Sequence, residues 1–525
     1  QVGQLALNLN DTGIMGAFKK DGASRGGFSK LVNPIGNSSG KGGLGGSFLL
    51  TFLHNDTTAS IEAADVYTSQ FGGLTVTAEE EIMSFSFAQS GGDAGTFGLS
   101  GSVALVDQQS STHAEIATGA SVTGGPVDVD ATSAETCITI AGAIQTGKSI
   151  GVGASIAIND IGRDTASWIG NSVGQQPGNG ATQIDVSGHV DLDAASKGSI
   201  FSFSLAGAIV KNVAQEPEDA LDGVTLPTLF GDAEGAPTED DDGNASDPSP
   251  GQGTTGLGIA GDVSLNTIDD TAVACINDSG QFNSDSLSLT GTNRTNLIAA
   301  SGAVAIVKGG SHKMPLGIAG SFSRNVLIGH TKSYIIGATI AQNHEINLKA
   351  NRTGNLFALT AGGAGVPADE GIAIAGSVSL NRIENETATY LDNVDATVTA
   401  DAARPGNISL LSEDNSDMKV IAGSFSYGGK AGVGASVALN KIANHTNSNV
   451  TDSTLTHDGT LTLSAVNDTD IQSAAGSIGA SKSKLGASGT VAINVISNEV
   501  EASVRSSSNV ESNVNGSINI KAEDA

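Results

Sequence analysis

Hydrophobic and polar positions alternate with a period of two along most of this chain. In GIAIAGSVSLNRIENETATYLDN, Gly371 to Asn393, the residues Val378, Leu380 and Arg382 fall on one side of an extended backbone. Ser379, Asn381 and Ile383 fall on the other. That period predicts strands, because successive side chains of a strand point to opposite faces while a helix repeats every three to four residues. Clusters of Gly, Asn, Asp and Ser separate the alternating runs and supply turn chemistry.

Nearly the same phrase recurs. GVGASIAINDIGRDTASWIGNS starts at Gly151, GLGIAGDVSLNTIDDTAVACINDS at Gly256, GVGASVALNKIANHTNSNV at Gly432 and GASGTVAINVISNEVEASVRSSS at Gly486. A small residue leads an asparagine by five positions in each. The anchors are Asn159, Asn212, Asn266, Asn325, Asn381, Asn440 and Asn494, with an earlier one at Asn8. Two degenerate copies, from Gly46 and Gly101, fill the early gap. The count is about ten repeats of about 55 residues over nearly the whole chain.

A second phrase follows in each unit, as in GNISLLSEDNSDMKVIAGSFSYG from Gly406 and PVDVDATSAETCITIAGAIQ from Pro126. Here two alternating runs flank a polar break. Each unit is therefore expected to carry roughly four short strands and to make two or three coils. Such a unit buries too little surface alone but enough when stacked on its neighbours. The expected fold is all-β, an elongated parallel β-solenoid or β-helix. An antiparallel array of hairpins, folding back at Glu384 and Asn385, is the alternative. The repeat asparagines Asn159, Asn266, Asn325, Asn381, Asn440 and Asn494 are expected to form an amide ladder at a turn. The Gly, Ala and Ser inside the strands predict a thin core.

One region breaks the pattern. Residues 216–253 hold several prolines and a dense acidic run, and read as a loop inserted between β-repeats 1–215 and 254–525.

Composition narrows the function classes. Glycine supplies 70 of 525 residues, aromatics 4% and charged residues 15%, while the apolar fraction of 38% is too high and too regular for disorder. The net charge of −30 disfavours nucleic acid and anionic lipid surfaces. No apolar run approaches the roughly 18 residues of a membrane span. The two cysteines, Cys137 and Cys275, read as small buried residues instead of a disulfide framework. Neither end of the sequence carries a polar cap, so the chain is expected to be a segment of something longer or to stack end to end on copies of itself.

Candidate chemistry is sparse. Asp240, Asp241, Asp242 and Asn244 offer hard oxygen donors for calcium, without the glutamate that completes an EF-hand loop. No zinc spacing, nucleophile elbow or phosphate loop occurs, and no other cofactor is implied. A polysaccharide-active β-helix would need carboxylates focused in one groove with aromatic platforms, against one Trp and four Tyr here. The expectation is that the chain is not an enzyme. About thirteen Asn-x-Ser/Thr sites, Asn277, Asn293, Asn351, Asn385 and Asn444 among them, are compatible with glycosylation.

The SVALNKI-type phrase, the N-x-T-x-A run after it and the G-x-Φ-x-Φ-x-A strand together resemble the repeats of giant secreted bacterial surface proteins, which are adhesin-like or filament-like β-solenoids. The resemblance implies an extracellular or cell-surface role as a fibre, stalk or surface-layer element. The partners it implies are further copies or repeats of itself and, in an adhesin, surface glycans or proteins. It carries over no functional residue.

Overall fold

The computed structural model describes residues 3–8, 42–175, 181–211, 256–308, 314–400, 404–513 and 516–525. Among them every regular element is a strand, and the strands form two sheets of 11 and 14 members. Apart from Gly3–Asn8, which runs antiparallel to Gly42–Ile61, all pairings are parallel. The fold is a parallel β-solenoid. The chain does not turn back at Glu384 and Asn385, since Ile372–Asp392 is one continuous strand.

Each repeat makes one coil, where the sequence suggested two or three. A coil starts with a long strand of the front sheet, crosses a short third face and returns along a long strand of the back sheet. The front strands are Gly42–Ile61, Phe97–Ala117, Ile150–Gly170, Leu257–Asn277, Leu316–Ile336 and Ile372–Asp392, followed by Ala431–Ile442 with His445–Thr451 and Leu485–Ile496 with Glu499–Arg505. The back strands are Leu74–Ala94, Val127–Gly147, His189–Val210, Gln281–Val307, Thr339–Val366, Asn407–Gly428, Thr460–Ser481 and Ser517–Asp524. The third face is built of pieces such as Ser121–Gly124, Gln183–Val186 and Asp395–Val398. At the corner leading to it the backbone takes a positive φ, at Gly119 (82°), Gly337 (78°), Asn393 (53°) and Asp452 (48°). Gly, Asn and Asp tolerate that conformation best.

Eight coils stack among the described residues. The sequence count is higher for two reasons. Gly207 lies in a back strand, and Asn159 pairs directly with Asn266, so one coil carries the insertion between Val210 and Leu257. Gly3–Asn8 adds an antiparallel edge strand and no coil. At about 3.3 Å per residue a 21-residue strand spans about 70 Å, while eight coils rise about 38 Å, so these coils form a slab wider than it is tall.

The slab tapers. Beside the third face, Val129, Leu192, Leu289, Leu348 and Leu410 lead a fully buried aliphatic core. At the opposite edge the filling is smaller: mainly alanines such as Ala206, Ala208, Ala303, Ala305 and Ala375, with Val210, Val307 and Val366 at the ends of the back strands. There, hydroxyls of the facing sheets touch, with Ser155 Oγ 3.1 Å from Ser204 Oγ and Ser321 Oγ 3.0 Å from Ser301 Oγ. A Cβ added to Gly153 would sit 2.2 Å from the Gly207 carbonyl oxygen of the other sheet. The thin core expected from Gly, Ala and Ser is therefore confined to one half, where the sheets approach closer than the usual ~10 Å.

Candidate functional site

The repeat asparagines sit in mid-strand inside the slab, where the sequence had suggested a turn. Asn159, Asn266, Asn325, Asn381, Asn440 and Asn494 occupy one register position. Each side-chain amide donates to the carbonyl oxygen of the next, at 2.7 to 2.8 Å over five steps. A side-chain amide has both donors and acceptors, so a column of them satisfies itself only in register. The ladder therefore fixes the stacking phase of six coils.

Four residues further along lies a second polar column that includes charges, with Arg163, Asp270, Asn385 and Asn444 on successive coils and Gly329 between Asp270 and Asn385, where the Arg352 side chain comes close. Fully buried Arg163 donates through Nε and Nη2 to the two carboxylate oxygens of Asp270, at 2.7 and 2.5 Å. Its Nη1 reaches the Lys197 carbonyl at 2.5 Å and its Nη2 the Thr295 hydroxyl at 2.8 Å. Glu135 faces Arg163 Nε at 3.4 Å, and burial pushes its carboxyl up to about 7. Arg352 is fully enclosed and has no hydrogen-bond partner among the described residues, and burial lowers its pKa against the pull of Asp270 and Asp414. Asp414 accepts from Ser416 at 2.7 Å, Thr387 at 3.1 Å and Asn444 at 3.1 Å, yet burial still raises its pKa. In the thin half, Asp262 accepts from Ser155 at 2.7 Å, Ser321 at 3.1 Å and Ser204, and burial pushes it up to about 6.

This interior rearranges the predicted sites. Asn277, Asn293, Asn385 and Asn444 are buried, whereas Asn351 lies on the outer face of the back sheet. Asn385 and Asn444 belong to the inner polar column, where the Asn444 Oδ1 accepts from the Asn385 amide at 3.2 Å. The calcium candidates Asp240, Asp241, Asp242 and Asn244 lie outside the described residues. Among the described residues no cluster of three His, Cys, Asp or Glu is placed to hold a metal ion. Cys137 and Cys275 are both buried and free, and burial pushes their thiols up to about 11 and about 12.

No protein-family model, curated protein or solved structure matches the chain.

The outer surface falls into two halves. Next to the third face it is polar. Asp56, Asp160, Asp164, Asp269, His54 and His330 line a groove there, and His113 Nε2 meets Asp164 Oδ2 at 3.3 Å. On the back sheet, Asp128 and Asp130 stack on Asp191 and Asp193, and Asp130 is pushed up to about 6 by burial and by its acidic neighbours. Of the aromatic residues beside the front groove, Phe52 is exposed on the outer face and Trp168 is packed away. Trp168 is 5% exposed, packed with Val273, Cys275 and Tyr334 and edge-on to His113 at 5.1 Å.

Over the thin half the pattern inverts. Val378 and Leu380 point outward while Ser379 and Asn381 point inward. A groove of about 560 Å³ runs across the coils above Ala154, Gly261, Gly320, Gly376 and Ala435, bordered by Ile156, Val263, Phe322, Val378 and Val437. Sequence reading located the alternating residues but not which phase faces in. Ser and Asn recurring at the inner phase were the available signal.

Proposed function

We propose that the chain is an extracellular structural element, a length of fibre, stalk or surface layer whose β-repeats stack along one axis. The carrying observation is the unbroken axial register. Eight coils continue the same parallel ladders, and the asparagine column, buried at all but its last member Asn494, threads six of them. Backbone and amide hydrogen bonds parallel to the axis resist stretching together. The surplus of 55 acidic over 25 basic residues keeps exposed lateral surfaces soluble.

The second reading is an adhesin segment, and one topological fact favours it. The insertion joins Val210 to Leu257 at the thin edge, where another coil turns from Gly147 to Ile150 with two residues between. A partner-binding loop, with calcium at Asp240, Asp241, Asp242 and Asn244, belongs to this reading.

Electron microscopy of the native material, with the mass of its denatured chain, tests both. Fibres that dissolve to chains near 52.2 kDa mean assembly from subunits, and finite rods of a heavier chain mean repeats of one long polypeptide. Isolated particles only eight coils high would overturn the structural reading. Deletion of residues 216–253 that abolishes attachment while leaving rods intact selects the adhesin.

A further inference from the structure

We infer that the thin half of the front face is a lateral docking surface for a second copy of this chain. The inference does not depend on the axial role proposed above. Five outward columns cross the eight coils there. Their positions in one strand are Ile372, Ile374, Gly376, Val378 and Leu380, and the register carries the same columns through every coil. Of these 40 positions (five in each of eight coils), Arg324 alone is polar. Ile374 is 41% exposed and Leu439 38%.

These side chains have no place in the fold's own interior. Beneath them the two sheets touch through Ser, Ala and glycine backbone, with Val210, Val307 and Val366 filling the rim, so the interior is already occupied. Area selects the partner. Nine residues of strand by eight coils cover about 1,100 Å² at standard strand spacings. The largest apolar patch of an ordinary monomer is about 300–600 Å², and a stable interface buries about 800 Å² per partner.

Shape and charge point to a like copy. The groove over the small-residue column is flanked by the Ile374 column on one side and the Val378 column on the other. A second copy has ridges of the same axial repeat, so a ridge seats in the groove along its whole length. Chains of net charge −30 repel, but the carboxylates of the front face, such as Asp160, Asp269 and Glu384, lie on the polar half. Pairing through the thin half keeps them apart.

The test is sedimentation velocity of the 525-residue chain across a concentration series, with circular dichroism as the folding control. The double variant Ile374→Lys with Leu439→Lys is expected to raise the apparent dissociation constant at least tenfold without changing the β-sheet spectrum. Leu359→Lys with Phe425→Lys, at exposed positions on the back sheet, is expected to leave association unchanged. A wild-type chain that stays monomeric at about 100 µM overturns the inference, as does association insensitive to the front-face pair. Binding of the monomer to phosphatidylcholine vesicles, lost in the front-face variant, would overturn it in favour of a lipid occupant.

Discussion

The two halves of each coil solve opposite packing problems with one strand. Near the third face, Leu348 and its neighbours fill a three-sided interior and the outer surface is polar, as in most soluble proteins. Toward the other edge the interior holds mostly serine, alanine and glycine, with valine the largest apolar residue of its core cluster, and bulkier aliphatic side chains stand outside. The difference comes from the distance between the sheets. Where a corner strand holds them apart, large side chains are needed to fill the space. Where they close to backbone contact, nothing larger than valine fits inside, and the larger apolar side chains stand on the outer phase.

The sharpest break of this comparison is the deletion of equal bulk in the broad half. Leu348 is fully buried and lies in register with Leu289 and Leu410. Leu348→Ala is expected to cost about 2–5 kcal/mol, the transfer and cavity penalty of a rigid core, read as a shift in the urea midpoint. An unchanged midpoint would mean that the broad half collapses freely.

Adding bulk to the thin half comes next. Gly153→Val places a branched side chain where even a Cβ meets the Gly207 carbonyl at 2.2 Å, and the obstacle is backbone. The expected cost is about 1–3 kcal/mol, with faster amide exchange in the strands Ile150–Gly170 and His189–Val210. The same substitution at Gly261, whose Cβ would meet nothing within 4 Å, is expected to be tolerated. Equal penalties at both glycines would show that the sheets are not in contact at that edge.

What the sequence made legible follows from this division. A period of two identifies strands whichever phase is buried, so the all-β solenoid and its asparagine column were readable. The coil was not. The run SEDNSD, 412–417, looks like a break between strands, yet Asn407–Gly428 is continuous because Ser412, Asp414 and Ser416 point into a polar interior. A rule that sends polar residues outward cuts this strand in two. The Asn-x-Thr pattern at Asn385 and Asn444 likewise carries no sign of burial, although both are core residues. The charged column was illegible for another reason. Arg163 and Asp270 are 107 residues apart and meet only because the insertion lies within one coil.

A smaller effect has the opposite sign. Asp262 brings a carboxylate to a position where the neighbouring coils carry Ser155 and Ser321. Its pKa is raised from 3.8 to about 6, so the folded state holds the proton more tightly than the unfolded chain. This group's contribution therefore falls as pH rises from about 4 to about 6, by at most about 3 kcal/mol. Asp262→Asn is expected to stabilise the chain by about 1–2 kcal/mol at pH 7.5 and by nothing near pH 4. A gain that persists at pH 4 would assign the effect to packing.

The smallest expected effect tests the inversion most directly. Ile374 is as apolar as Leu348 and lies in the same repeat pattern, but it stands 41% exposed over the alanine-lined edge. If the outer phase of the thin half contributes little to the fold of one chain, Ile374→Ala removes mainly surface contacts. The expected loss in a dilute sample, where chains are apart, is below about 1 kcal/mol. At high concentration the same variant is expected to lose more, because the wild type gains stability by binding a second copy and the variant does not. Midpoints measured at two concentrations a hundredfold apart separate these contributions. A loss at low concentration as large as that of Leu348→Ala would mean that the outer face supports the coil itself, and the two halves would then be alike.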